Sequence, residues 1–281
     1  MGDSKGGEAM NTIEPQIAFI GAGNMASALI GGMIAHGTPA QHITVMSPTI
    51  GPKHPICQQF AVRSTQDIPT AIEHADVLII AVKPQQIEAV ALGMRKQIQR
   101  RKPLVISIAA GVRTQTLATW IGDGIPIVRS MPNLPAKIQV GASGIYADHT
   151  VTKAERALAE QIFQSVGVVV WVEKEHDIDV VTAVSGSGPA YYFLMLEAME
   201  DAAQHLGLSA DAARLLTLQT AQGAMEMVAQ TGSRPSALRT QVTSPGGTTA
   251  AAIAVFEQGT LRELFKQAMT AAYDRSKALA Q

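Results

Sequence analysis

Between residues 17 and 172, short apolar runs alternate with amphipathic stretches. Ile17–Ile20, Ile43–Met46, 77–82, 104–108 and 127–128 read as strands, rich in Val and Ile, with helical spacing between them. Strands that are apolar at nearly every position are those buried on both faces of a sheet. The pattern therefore predicts an α/β fold with a doubly wound parallel sheet. The stretches 144–146 and 168–172 can extend that sheet. From residue 173 onward the strands stop. Tyr192, Leu196, Met199, Ala203 and Leu206 are spaced four, three, four and three, which keeps one helix face apolar. The next helix, 211–229, carries Leu215, Leu218, Met225 and Val228 on one side and Leu216, Ala224 and Met227 elsewhere, so its apolar surface runs more than halfway round. A helical segment of roughly a hundred residues has little interior for such faces, which predicts an intersubunit contact.

Two glycine turns carry the candidate chemistry. Ile17–Ile20 runs straight into Gly21-Ala22-Gly23-Asn24-Met25-Ala26 and then a helical stretch, the strand–turn–helix context of a dinucleotide site of Rossmann type. Gly21 permits the tight turn, Gly23 lets backbone approach a pyrophosphate, and Ala26 allows close helix–strand packing. The second strand ends Val45-Met46-Ser47-Pro48-Thr49, with no acid to hold a ribose 2′-hydroxyl. Ser47 and Thr49 supply hydroxyl donors and Lys53 and His54 positive charge, which favours NADPH, with NADH as the weaker alternative. Near the other end, Ser244-Pro245-Gly246-Gly247-Thr248-Thr249 also opens a helix. A helix start presents unpaired N–H groups and a partial positive charge, so two such turns predict two anionic ligands.

Composition narrows the classes. The 281 residues are 47% hydrophobic and 16% charged, with a formal charge of -1 and no long basic run, which gives no footprint for nucleic acid or an anionic membrane surface. One cysteine, Cys57, and seven scattered histidines predict neither an internal disulfide nor a metal site. No apolar run approaches the roughly 18 residues of a membrane span. The start is Gly-rich and polar without the features of a secretory signal, so a disordered extension over 1–12 and a cytoplasmic protein are expected.

Four further segments join the two glycine turns: Ala81-Val82-Lys83-Pro84, Ser107-Ile108-Ala109-Ala110-Gly111-Val112, Arg129-Ser130-Met131-Pro132-Asn133-Leu134-Pro135-Ala136 and Val184-Ser185-Gly186-Ser187-Gly188-Pro189-Ala190-Tyr191. Together the set resembles pyrroline-5-carboxylate reductase, and the resemblance runs from Ile17 to Leu279. It implies an NADP-binding Rossmann domain over 13–173 and an all-helical dimerisation and substrate domain over 174–281. By similarity, Gly21, Ala22, Gly23, Asn24, Met25 and Ala26 bind the pyrophosphate, and Ser47 and Thr49 lie at the 2′-phosphate. Ala81, Lys83, Pro84, Ser107 and Ala109 border the ribose and nicotinamide, with Asn133 nearby. Ser187, Ser244, Gly247, Thr248 and Thr249 resemble the substrate pocket, Thr249 and Ser187 being the candidate catalytic hydroxyls, and the family builds that pocket across a dimer of interleaved helical domains. The chain departs from the family's usual pattern at Leu134, Ile68 and Thr240, where Thr, Asn and an acid are common.

The reaction implied is hydride delivery from nicotinamide C4 to the carbon of a five-membered cyclic imine bearing a carboxylate, giving L-proline. Ser187 and the two threonines also suit simple helix capping, and Lys83 a surface charge at a strand end. Other readings are an NADP-dependent reductase of a different imine or of a hydroxyacid, or a non-catalytic dinucleotide sensor. A hydroxyacid dehydrogenase normally places a lysine on a helix of its second domain, and 211–229 has none. A sensor of dinucleotide alone has no need of the second anion turn.

Overall fold

Among the described residues eight strands form one sheet in the order β3-β2-β1-β4-β5-β6-β7-β8. They are β1 (Ile17–Ile20), β2 (Ile43–Met46), β3 (Arg63–Thr65), β4 (Val77–Ile80), β5 (Leu104–Ser107), β6 (Ile127–Met131), β7 (Gly141–Ala147) and β8 (Gly167–Trp171). This computed structural model describes residues 15–279, so the extension expected over 1–12 lies outside the described residues. Pairing is parallel from β3 through β6; β7 then runs antiparallel to β6, and β8 parallel to β7. Strands β1, β4 and β5 are buried at every position. Alternate side chains serve opposite faces. Ile17, Phe19, Val77, Ile79 and Ile106 enter one core, and Ala18, Ile20, Leu78, Ile80 and Val105 the other.

Helices cover both faces. The first core is closed by α1 (Asn24–Ala35), α2 (Pro55–Phe60) and α6 (Lys153–Gln164), through Leu29, Ile30, Met33, Ile56, Ile162 and Phe163. The second is closed by α3 (Ile68–Ile72), α4 (Ile87–Arg101) and α5 (Thr114–Ile121), through Ile72, Met94, Ile98 and Leu117. Helix α7 (Asp177–Val181) runs into a π-turn, Thr182–Gly186. Then follow α8 (Gly188–His205), α9 (Ala210–Thr231), α10 (Pro235–Gln241), α11 (Thr248–Gln258) and α12 (Leu261–Leu279).

The chain divides into two compact units at Gly186, and the segment from Tyr273 returns to the first. This boundary falls beyond β8, after α7 and the π-turn. The reason is packing: Gly144 of β7 leaves room for Val181, whose methyls lie 2.6 Å from where a Cβ would stand, and Ser276 of α12 donates to Asp179 of α7 at 2.7 Å. In the second unit the single chain has little interior. Among α8, α9, α10 and α11 only Gly188, Ala213 and Thr217 are buried, while Tyr192, Met199, Leu215, Leu218 and Met225 of the predicted apolar faces are exposed.

One charged group holds the far side of the first unit together. Arg129, in the middle of β6, is 2% exposed and meets Asp179 at 3.3 Å and Glu175 at 3.4 Å. Glu175 also accepts from the Thr114 N–H at 2.7 Å and from the Thr114 hydroxyl at 3.1 Å, at the start of α5. Tyr146, paired with Arg129 across the ladder, has its hydroxyl pKa raised by burial and then by the charges of Glu175 and Asp148, so it stays neutral at physiological pH. Arg129→Ala leaves two carboxylates without their cation. Removing one partner of a buried pair costs about 3–5 kcal/mol. Denaturant unfolding at fixed protein concentration should show a loss of that size; a loss under about 1 kcal/mol would mean the cluster is solvated and structurally idle.

Candidate functional site

Parallel register gathers the candidate cofactor residues along one edge. Ile20, the last residue of β1, is level with Met46 and with Ile80, and Ile80 with Ser107, so Gly21, Ser47, Ala81 and Ile108 all emerge at the carboxyl ends of adjacent strands. That edge is where an open α/β sheet receives ligands. The ladder runs on by one residue: Gly21 N–H donates to Met46 O at 2.8 Å, Ala81 N–H to Ile20 O at 2.8 Å, and Ile108 N–H to Ile80 O at 3.2 Å. Gly21 turns at φ +112°, and a Cβ there would stand 2.4 Å from the Ala81 carbonyl oxygen. Only glycine fits. Gly23 differs, since its φ of -82° is ordinary and nothing lies within 4 Å of a Cβ built on it. The open volume over Gly23 is the cradle a side chain would fill. Gly23 caps α1 with no side-chain hydrogen bond, and the first turn holds no acid, so no side chain competes there with an anionic ligand.

At the end of β2, Ser47 Oγ and Thr49 Oγ1 stand 3.5 Å apart. His54 is occupied differently from the expectation that it lends charge: its Nδ1 accepts from the Ile56 N–H at 3.3 Å and caps α2. Lys83 and Pro84 begin a short 3-10 turn, with Lys83 exposed. Ser107 and Ala109 reach the same edge, but both residues are buried; the Ser107 hydroxyl accepts from the Ala109 N–H at 3.4 Å and the Ser107 carbonyl accepts from the Ser130 hydroxyl at 3.0 Å. Asn133 follows β6 at this edge, yet its amide is committed to protein: Nδ2 donates to Ser185 O at 3.0 Å and Oδ1 accepts from Ala142 N–H at 2.9 Å.

The second anion turn lies in the helical unit. Gly247 caps α11 with no side-chain hydrogen bond and no acid in the first turn. Its φ of -80° carries no strain; the left-handed residue is Gly246, at φ +70°. A Cβ at Gly247 would stand 3.2 Å from Ser244 O, a tight contact that a shift of a few tenths of an ångström relieves. Ser187 precedes α8 without making a capping bond, so the capping reading of its hydroxyl is not realised. Among the described residues no group of three or more His, Cys, Asp or Glu is placed to hold a metal ion.

Residues 175–279 match the family model for pyrroline-5-carboxylate reductase dimerisation, and residues 16–111 the model for NADP oxidoreductase, coenzyme F420-dependent. A pyrroline-5-carboxylate reductase of Pseudomonas aeruginosa is 45% identical over 267 residues, covering 95% of this chain and 97% of its own. The chain belongs to the pyrroline-5-carboxylate reductase family. A solved reductase from Coxiella burnetii aligns with a TM-score of 0.90 at 44% identity, over 96% of this chain and all of that one. The reductase of Plasmodium falciparum, solved with NADP bound, aligns with a TM-score of 0.85 at 29% identity, over 95% of this chain and 99% of that one. The matched dimerisation segment contains the helices whose apolar faces stand exposed in one chain, so self-association is what covers them.

Two features escaped sequence reading. The Arg129–Asp179–Glu175 cluster had a signal, an arginine inside an apolar strand, but its acids lie some fifty residues on. The π-turn had only a run of small residues before Pro189.

The two cofactor glycines separate cleanly in a test. Gly21→Ala should lower both the stability of the ligand-free protein and NADPH affinity, because the new Cβ meets backbone. Gly23→Ala should leave ligand-free stability within about 1 kcal/mol but weaken NADPH at least about tenfold, as the methyl takes the anion's place. Thermal melts with NADPH fluorescence titration read both. Unchanged NADPH affinity in Gly23→Ala would remove the pyrophosphate from this turn.

Proposed function

We propose that this chain is an oxidoreductase that reduces 1-pyrroline-5-carboxylate to L-proline with NADPH, the last step of proline biosynthesis. The observation that carries the reading is the pairing of an open cradle at Gly23 with a second uncapped helix start at Gly247, one anion site in each compact unit. The N–H groups opening α1 hold the pyrophosphate, Ser47 and Thr49 donate to the 2′-phosphate, and Ala81, Lys83, Pro84, Ser107 and Ala109 border the ribose and nicotinamide. The bound nicotinamide supplies the hydride.

The chain's own work is positioning. N–H groups of Thr248 and Thr249 and the Ser244 hydroxyl hold the substrate carboxylate, and charge-assisted hydrogen bonds of this kind fix direction as well as place. A protonated imine is already electrophilic, so the ring nitrogen needs only an acceptor for its N–H; the Thr249 hydroxyl takes that role, with Ser187 at the start of α8 as the second hydroxyl. Holding the reacting carbon in place lowers the barrier by several kcal/mol, on the order of the gain from good orientation alone. A cytoplasmic setting belongs to this reading, because the reaction draws on the NADPH pool of the cell interior. Among the described residues no helix is long and apolar enough to cross a membrane.

The test is NADPH oxidation with pyrroline-5-carboxylate beside other cyclic imines, keto acids and NADH. The highest kcat/KM should belong to pyrroline-5-carboxylate with NADPH; a keto acid turned over faster, or equal efficiency with NADH, would contradict substrate and cofactor readings respectively. Thr249→Val should lower kcat/KM for the imine about ten- to a hundredfold, the loss of one hydrogen bond to a charged group, with NADPH affinity unchanged. Normal imine kinetics with lost NADPH binding would reverse the two anion sites.

A further inference from the structure

Pro189 leaves a gap in the hydrogen bonding of the chain just before α8. In a continuous helix the Ser185 carbonyl would accept from residue 189, and proline has no N–H to give. The π-turn that contains Ser185 is tightly seated on the carboxyl end of β6 and on β7. A Cβ on Gly186 would stand 2.6 Å from Met131 Cε, the end of a flexible side chain, and Gly144 makes room for Val181. Inside the turn the Thr182 hydroxyl donates to Ile178 O at 2.8 Å and the Ser185 hydroxyl to Val181 O at 3.1 Å. The Ser185 carbonyl receives its donor from Asn133 Nδ2 at 3.0 Å, while the other end of the same amide accepts from Ala142 N–H. Asn133 is 8% exposed, so both bonds are shielded from water.

We propose that Asn133 is a positioning residue for the reduction: its amide replaces the donor that Pro189 lacks and locks the π-turn Thr182–Gly186 from which Ser187 and α8 continue. Short π-turns inside helices are costly and recur at functional sites. This one ends where the chain passes from the first unit into the second. Ser187, a candidate hydroxyl of the reductase reading, is the residue that follows the turn, so looseness in the turn is felt in the chemical step and not in the affinity for NADPH. The inference rests on the reductase reading, and the wild-type enzyme separates the two: no imine reduction by wild type refutes the reading, whereas an active wild type with unaffected Asn133 variants refutes only this proposal.

The experiment compares wild type, Asn133→Ala and the isosteric Asn133→Asp, which keeps the acceptor for Ala142 and loses the donor to Ser185. Both should lose about ten- to a hundredfold in kcat at saturating imine and NADPH, the scale expected for misplacement near 1 Å, with the NADPH dissociation constant within about twofold of wild type. Hydrogen exchange should accelerate over 182–190 and not in the β1, β4 and β5 amides. The double variant Asn133→Ala/Pro189→Ala, which restores an N–H at 189, should recover most of the lost kcat. The proposal is overturned by a rise in the NADPH dissociation constant that matches the loss in kcat/KM, by unchanged kcat, by uniform acceleration of exchange, or by a double variant no better than Asn133→Ala. Failure of both single variants to fold overturns it as well, since the residue would then serve the sheet as a whole.

Discussion

Two backbones meet at the centre of the sheet with no side chain between them, and the cofactor end of the molecule depends on that approach. β1 lies between β2 and β4, and its exit at Gly21 runs against the Ala81 carbonyl, closer than any Cβ allows. The tight turn lets α1 begin one step later, with Ala26 and Leu29 sunk into the first core and the N–H groups of its first turn directed outward at the strand ends. Register does the rest. Since β2, β1, β4 and β5 are parallel and level, whatever follows each strand arrives at one edge, and a dinucleotide lying along that edge touches four loops distant in sequence.

The helical unit obeys a different constraint. Its helices carry large apolar residues on more than one face, and a single copy buries almost none of them. Burial of a Leu or Met side chain is worth about 1.5–3 kcal/mol, so a set of exposed ones is stabilised only by a partner surface. The dimerisation family matched over 175–279 supplies that partner as a second copy. Candidate residues carried on such helices, Ser244 to Thr249 among them, are therefore ordered together with the assembly, whereas the strand-end edge with Gly21 and Ser47 is built entirely within one chain's sheet unit.

Legibility in the sequence followed the range of the interactions. Strands β1, β2, β4 and β5 were readable because burial on both faces writes continuous apolar runs, and the two glycine turns because left-handed or crowded backbone writes glycine. Strand β3 was not: Arg63 and Ser64 are exposed on an edge, where no pattern is imposed. The antiparallel turn of β7 was hidden because pairing direction leaves no mark on composition. Asn133 was readable as part of a family segment, but its role depends on Ser185 and Pro189, far along the chain, and the return of the end of α12 to the first unit depends on Ser276 meeting Asp179. Contacts across such distances exist only after folding.

The two uncapped helix starts, in the proposed reaction, divide the two anions between them. The most direct measurement is a crystal structure of the assembled protein with NADP+ and L-proline bound. Pyrophosphate oxygens should lie on the N–H groups that follow Gly23, the 2′-phosphate beside Ser47 and Thr49, and the proline carboxylate on the N–H groups of Thr248 and Thr249. A carboxylate seated away from α11, or a nucleotide phosphate resting on Gly247, would contradict it.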